Sequence, residues 1–498
     1  MLLLGIDVGT SSIKVSVVDA QSQQAIASAQ YPEDRENRVI SERAGYAEQD
    51  PDTWWEHTQL AIKKVLQQHV VRSEDITAIG IAYQMHGLVV IDEEGNPLRN
   101  SIIWCDSRAV ALGEEAFRHI GSKKSLDRLL NSPGNFTAAK WAWVKQNEPS
   151  VYKKAYKIML PGDFIALKLT GDVTTSISAL SEGVFWDFRS NSLSTDIMEY
   201  FGFEEHVFPE LKPLFGEHGF LQSSVAQKLN LKPGIPVTYK SGDQPNNALS
   251  LNVLRPGEVA ATAGTSGVIF AVSDQLISDK ESRINTFAHV NYTKEDIRTG
   301  VLLCINGTGI LNSWVKQNMG QGLDYDEINK LAQSVPPGSE GLSILPFGNG
   351  AERIFNNRII GSHFLNLDFN HHDRAHVFRA SQEGIAFAFR YGLDILRENG
   401  MNPSVIRAGI ANLFQSELFT QVFANVTNTP VELYNNDGSI GAALGAGIGN
   451  QTFASSEEAF EKMKVHKTVD PQTDHSYEEF YNTWRELLLE KLMQIKNS

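Results

Sequence analysis

Two short turns of the same composition, Gly9-Thr10-Ser11 and Gly264-Thr265-Ser266, lie 255 residues apart (264 minus 9) in a chain of 498. Each joins an apolar run to a second, alternating one: LLLGIDV leads into IKVSVVD, and EVAATA leads into GVIFAVSD. Such alternation marks strands, and a short glycine-bearing link between two of them reads as a β-hairpin. The same hairpin with matching flanks, repeated at half the chain length, is what a duplicated domain leaves behind. The two copies differ at one point. The first strand carries Asp7, whereas the position 255 residues further on is Thr262, so the carboxylate belongs to the first half only.

A chain of this length exceeds one ordinary hydrophobic core, so two units are expected on size alone. Hydrophobic residues at 42% and charged residues at 21% are ordinary for a soluble globular protein. The two cysteines, Cys105 and Cys304, give no disulfide framework and fit a reducing compartment. No apolar run reaches the length of a membrane span, and Asp7 ends the first one too early for a signal peptide. The expectation is a cytoplasmic protein without a membrane partner. A formal net charge of −15 argues against nucleic acid, whose phosphates need a basic face. A small anionic ligand stays open, because backbone N–H groups, one or two lysines and a metal ion can hold it.

The rest of each half reads as mixed α/β. Asp50-Pro51 has the form of an N-cap with proline in the first helical turn, ahead of WWEHTQLAIKKVLQQ at helical spacing. Residues 77–84 and 87–98 read as strands, the second closing in an acidic Gly-Asn turn. Asp373 can cap a long helix that runs through Leu396, with Gly400 placed to end it. A last amphipathic helix is expected over 476–495. The domains are expected at 1–247 and 248–498, with NNALSLNVLRPGE ahead of the second hairpin.

No P-loop, complete G-x-G-x-x-G, nucleophile elbow or protein-kinase motif set occurs. His372 and His376 are spaced i, i+4, but with no cysteine or carboxylate pattern to complete a metal site they read as a surface pair. The two G-T-S turns remain. Facing each other across a cleft, they can aim N–H groups and hydroxyls at a polyphosphate, and Asp7 can hold Mg²⁺ directly or through water.

Three further stretches narrow the chemistry: IAYQMHGLVVIDEEGNPLRNSIIWCDSR (81–108), KSGDQPNNALSL (240–251) and RAGIANLFQSELFTQVFANVTNTPVEL (407–433), the last followed by DGSIGAALGAG. With G-I-D-V-G-T-S at the N-terminus, they resemble the FGGY family of carbohydrate kinases, and within it the xylulokinase branch, along the whole chain. The resemblance implies an α/β fold of two duplicated actin-like (ribonuclease H-like) ATPase domains with the active site in the cleft between them. It implies that Asp243, in Gly242-Asp243-Gln244, is the general base that takes the proton of the sugar hydroxyl, with Asp7 beside it as the magnesium anchor. Gln84, Met85, His86 and Trp104 match the family's sugar-binding stretch. Asp106 and Arg108 either complete that pocket or form a structural pair.

On the nucleotide side the resemblance implies phosphate turns at Gly9, Thr10 and Ser11 and at Gly264 and Thr265, with Gly309 nearby. Lys14 reaches phosphate or stays solvated. The adenosine turn falls on Gly409-Ile410-Ala411-Asn412, where isoleucine replaces a glycine. The implied reaction is transfer from Mg-ATP to the C5 hydroxyl of D-xylulose, in pentose catabolism. Alternatives are another ketose or polyol such as ribulose, fuculose or gluconate, or an actin-like switch ATPase that phosphorylates nothing small. Family members often form homodimers, though no feature of this sequence marks an interface.

Overall fold

Both repeated turns lie inside hairpins, and each hairpin forms the middle of its own sheet. The computed structural model describes residues 1–33, 38–472 and 476–496. In the first sheet β1 (Leu2–Val8) and β2 (Ile13–Asp19) pair antiparallel, with Asp7 opposite Lys14. β3 (Gln24–Tyr31) extends the antiparallel side. Helix α1 (Pro51–Leu66), capped by the Asp50 side chain, packs on β2 and β3. It returns the chain to β4 (Ile76–Tyr83), parallel to β1. After a long insertion β5 (Val237–Gly242) adds parallel to β4 and runs directly into α2 (Asp243–Ser250). The order is β5-β4-β1-β2-β3.

The second sheet repeats this plan. β6 (Glu258–Ala263) and β7 (Gly267–Ser273) form the hairpin, and β8 (Asn285–Ala288) and β9 (Thr299–Ile305) continue antiparallel. Helices α3 (Gly309–Met319) and α4 (Arg374–Glu398) precede β10 (Val405–Gly409), which is parallel to β6. β11 (Val431–Tyr434), α5 (Gly438–Gly449), β12 (Lys467–Val469) and α6 (Ser476–Lys496) complete the chain. The order is β8-β9-β7-β6-β10-β11-β12. Without its edge strands β8 and β12, it has the first sheet's order and strand sense: two actin-like, ribonuclease H-like domains.

The second turn is one residue shorter than the first, since Ala263 pairs with Gly267 whereas Val8 pairs with Ile13. Thr262 therefore takes the place of Asp7 and Val268 the place of Lys14, so the second hairpin lacks both charges. Asp373 caps α4 as expected, in a capping box with His376. The strand expected over 87–98 is shorter than its sequence suggests. Only Val89–Ile91 is extended, because Asp92 accepts the Asn96 N–H and turns the chain back. Among the described residues no helix is long and apolar enough to cross a membrane.

Helix α5 is built almost wholly of glycine, alanine and aliphatic residues, which suits a helix buried on several sides. It belongs to the second half of the chain yet lies on the sheet of the first. Gly5 and Gly80 are paired in register on β1 and β4 and form its seat. A Cβ at Gly5 would lie 1.8 Å from the Ser439 carbonyl oxygen, and one at Gly80 would lie 1.9 Å from that of Ala442. Around this contact Leu3, Ala78, Ala82 and Tyr239 share a core with Ala442, Ala443, Leu444 and Ala446. We expect Gly80→Ala to lower stability by about 1–3 kcal/mol or more through this overlap, seen as a fall in thermal midpoint. An unchanged midpoint would mean that α5 does not sit as described.

Candidate active site

The parallel strands end in one row. Val8 of β1 is in register with Tyr83 of β4, and Tyr83 with Gly242 of β5. The residues that follow each strand are therefore neighbours at one edge: the Gly9-Thr10-Ser11 turn, Gln84-Met85-His86, and Asp243. Crevices at the carboxyl ends of parallel strands are where α/β sheets bind ligands, because side chains from distant segments converge there.

Each predicted side chain has a definite surrounding. Gln84 is fully buried and taken up by protein partners: its amide donates to Gln49 Oε1 (2.9 Å), and its Oε1 accepts the Thr10 hydroxyl (3.3 Å). These bonds brace the first turn. The Thr10 hydroxyl also accepts from Trp104 Nε1 (3.0 Å). Ser11, at the tip, stands exposed. Trp104 is half exposed and packs on the turn. Asp106 is fully buried, binds the Ala47 N–H and pairs with Arg108 (2.7 Å), whose guanidinium lies over Tyr46. Of the two readings of this pair, the structural one holds.

His86 has the left-handed conformation (φ 61°), unusual for a residue with a side chain. Two buried groups clamp it there. Lys140 Nζ donates to its carbonyl (2.7 Å), and Glu182 Oε1 accepts its N–H (3.2 Å). The ring packs edge-on to Phe136 (4.8 Å between centroids) and against Phe287 of the second sheet (5.3 Å). Burial, reinforced by the Lys140 charge, pushes its pKa down to about 3, so the ring is neutral. Nδ1 faces the Glu182 carbonyl (3.0 Å), which can only accept, so the proton sits on Nδ1 and Nε2 is left as an acceptor for a hydroxyl. Met85, 5% exposed, walls the same corner.

Three carboxylates meet beyond this row. Burial and the neighbouring charge of Asp437 raise Asp7 to about 6, with Lys14 pulling the other way. Burial and the charge of Asp7 raise Asp243 to about 7, against hydrogen bonds from Gln244. Asp437 caps α5 and forms an ion pair with Lys14 across the lobes. Burial opposes its ionisation, but Lys14 and the N-terminal donors of α5 hold it below the usual range. Asp7 reaches this group because residue 438 is glycine: a Cβ there would lie 2.4 Å from Asp7 Oδ2. Among the described residues no donor bonds the Asp7 carboxylate. Mutually repelling oxygens of this kind suit a hard divalent cation. Lys14, partly exposed, is paired with Asp437.

In the second domain the Gly264-Thr265 turn abuts α3. Gly264 O accepts the Gly309 N–H (2.9 Å), and Thr265 O accepts that of Ile310 (3.1 Å). Buried Glu352 fixes the preceding loop by accepting from the N–H groups of Asn306 and Gly307. Beside this turn lies a cleft of about 330 Å³ bordered by Gly264, Thr265, Gly309, Asn329 and Asn412. Gly409 and Ala411 do not border it, although the sequence places them with Asn412. Ile410, partly buried, packs against the second-domain core, and of the residues 409–412 Asn412 borders the cleft.

The sequence profile of the FGGY family of carbohydrate kinases matches in two parts, its N-terminal domain over residues 2–250 and its C-terminal domain over 259–449. The chain belongs to the FGGY family of carbohydrate kinases. It is a phosphotransferase with ATP as the phosphate source. It is 29% identical over 470 residues to the xylulose kinase of Bacillus subtilis, covering 93% of this chain and 91% of that one. The crystal structure of a "xyloylose kinase" from Brucella ovis superposes with a TM-score of 0.87 at 25% identity over 98% of both chains. A gluconate kinase from Lactobacillus acidophilus gives a TM-score of 0.88 at 21% identity over 99% and 98%, a likeness of fold alone. The fold therefore does not choose the sugar; pocket side chains do.

Membership gives weight to residues that the sequence motifs left out. Glu182 and Lys140 act on His86 from 96 and 54 positions away, and Phe287 comes from the other domain. Asp437 alone left a signal, as the carboxylate in front of the apolar helix GSIGAALGAGIG. Nitrogen NMR of labelled histidine should find the His86 ring neutral and protonated on Nδ1 throughout about pH 5–8, the range where free histidine titrates. A midpoint inside that range would contradict the clamp.

Proposed function

We propose that this kinase transfers the γ-phosphoryl group of ATP to the C5 hydroxyl of D-xylulose, in the cytoplasm, with Asp243 as general base. The observation that carries this reading is the Asp243 carboxylate at the end of β5, raised to about 7 beside Asp7 and one strand from the end of β4, where Gln84-Met85-His86 follow. A base with a pKa near the operating pH takes a proton most effectively. In this reading His86 Nε2 accepts from one sugar hydroxyl and Met85 lies along the carbon chain. Asp243 takes the proton of the terminal hydroxyl as its oxygen bonds to phosphorus and the bond to the ADP oxygen breaks. Asp7, with Asp437 nearby, would hold Mg²⁺, which when bound screens the phosphate charge. The exposed Ser11 and the Gly264-Thr265 turn would meet phosphate oxygens, and the cleft at Asn412 would take the nucleoside. The names of the similar kinases support the choice of sugar, as does the neutral Met-His corner.

The test is kcat/KM across D-xylulose, D-ribulose, L-ribulose, L-fuculose, glycerol and D-gluconate. D-xylulose should rank first, and a different leader replaces the sugar in this proposal. Asp243→Asn should cost roughly a hundredfold to ten-thousandfold in kcat. The same variant has an opposite effect on stability. A carboxyl raised from 3.8 to about 7 keeps its proton in the folded state where the unfolded chain has lost it. Its contribution to stability is present at low pH and is lost as pH rises through about 7. Asn carries no such loss, so the variant's thermal midpoint should exceed the wild type's at about pH 8 and match it near pH 4. Lost turnover with a lower midpoint at pH 8 would make Asp243 a structural residue.

A further inference from the structure

A cluster far from these motifs in sequence gathers around the first turn of α4. Glu340 lies in the tight turn Ser339–Gly341, in the left-handed conformation (φ 51°) that side chains rarely adopt. That backbone directs its carboxylate at two imidazoles. His371 Nε2 is 2.9 Å and His376 Nε2 is 2.8 Å from the same oxygen, Glu340 Oε2. The three atoms that could bind an ion all lie within 4.8 Å of one another. The partner of His376 is thus His371, not the His372 that the i, i+4 spacing suggests. Both nitrogens of His372 are occupied, Nδ1 by the Asp368 N–H (3.0 Å) and Nε2 by the Glu340 carbonyl (3.3 Å). Its ring lies tilted against both other imidazoles, with centroids 5.2 Å away.

We propose that Glu340, His371 and His376 form a binding site for a divalent transition-metal ion of the zinc class. Two imidazoles and one carboxylate are the donors that such ions prefer, while magnesium and calcium favour all-oxygen sites. The outer contact is also in place. Asp373 Oδ1 lies 2.8 Å from His376 Nδ1, which also faces the Asp373 N–H (3.2 Å), so a carboxylate stands in the outer position that orients a ligating histidine. Around a tetrahedral ion with bonds of about 2.1 Å the ligand atoms stand roughly 3.4 Å apart. Reaching that spacing takes an outward shift of Glu340 from both imidazoles and an approach of the imidazole nitrogens from within 4.8 Å, a movement open to His371, which is 54% exposed. The fourth position opens to solvent. Binding releases any imidazole protons to water and ties the 339–341 turn to the start of α4, without involving the kinase residues.

The experiment uses the full-length protein without an affinity tag, stripped with chelator and titrated with Zn²⁺ against a chromophoric competitor. One equivalent should bind the wild type at micromolar or tighter affinity. His371→Ala and Glu340→Gln should each weaken it by at least about tenfold. Both positions are exposed, so these variants should fold and keep wild-type kinase turnover. Zn²⁺ should raise the thermal midpoint of the wild type and leave that of His371→Ala unmoved, since only a ligand of the native state stabilises it. Substituted Co²⁺ should give the strong visible bands of a four-coordinate site. Absence of a stoichiometric equivalent, or equal affinity in the wild type and both variants, overturns the proposal.

Discussion

The seating of α5 on the first sheet is the contact on which the rest depends. A helix can approach a sheet this closely only where side chains are missing, and Gly5 and Gly80 supply that gap on adjacent strands in register. The consequence is electrostatic as much as steric. The N-terminus of α5 brings Asp437 next to Lys14 and Asp7, so one interdomain packing contact also assembles the charge cluster of the cleft. Interdomain contact and site are the same piece of structure.

The charge arrangement is costly by design. Asp437 raises Asp7 and Asp7 raises Asp243 within a buried setting, a pattern that stabilises nothing in the folded protein alone and makes sense where substrate and cation supply the missing partners. The sugar side works differently. His86 is neutral, fixed in one tautomer and held by backbone contacts from Lys140 and Glu182, so its acceptor is oriented before any ligand arrives. Orientation settled before binding leaves more of the binding energy for the transition state.

Legibility in the sequence followed the range of each interaction. The hairpins, the Asp50 and Asp373 caps and the last helix were readable because strand alternation, capping and helical spacing act over a few residues. The strand over 87–98 was overestimated because one Asp92 hydrogen bond outweighed a favourable run of residues. Among site residues, the motif stretches pointed to the right strand ends. They could not show that Gln84 and Thr10 spend their polar groups on each other, or that Lys14 pairs with a residue 423 positions away.

By itself the sequence determined the mixed α/β class and the duplicated hairpins, because periodicity and turn chemistry are local, while the resemblance to the family singled out Gln84-Met85-His86 and Asp243. Only the tertiary structure decided which of those side chains face the cleft and what charge each carries. It packed Ile410 against the core and set Asn412 at the cleft, placed the carboxylate of Glu340 against His371 and His376, and made Asp437 a member of the first domain's site. Burial and long-range pairing set a side chain's protonation and direction, and both arise only when segments hundreds of residues apart are packed together.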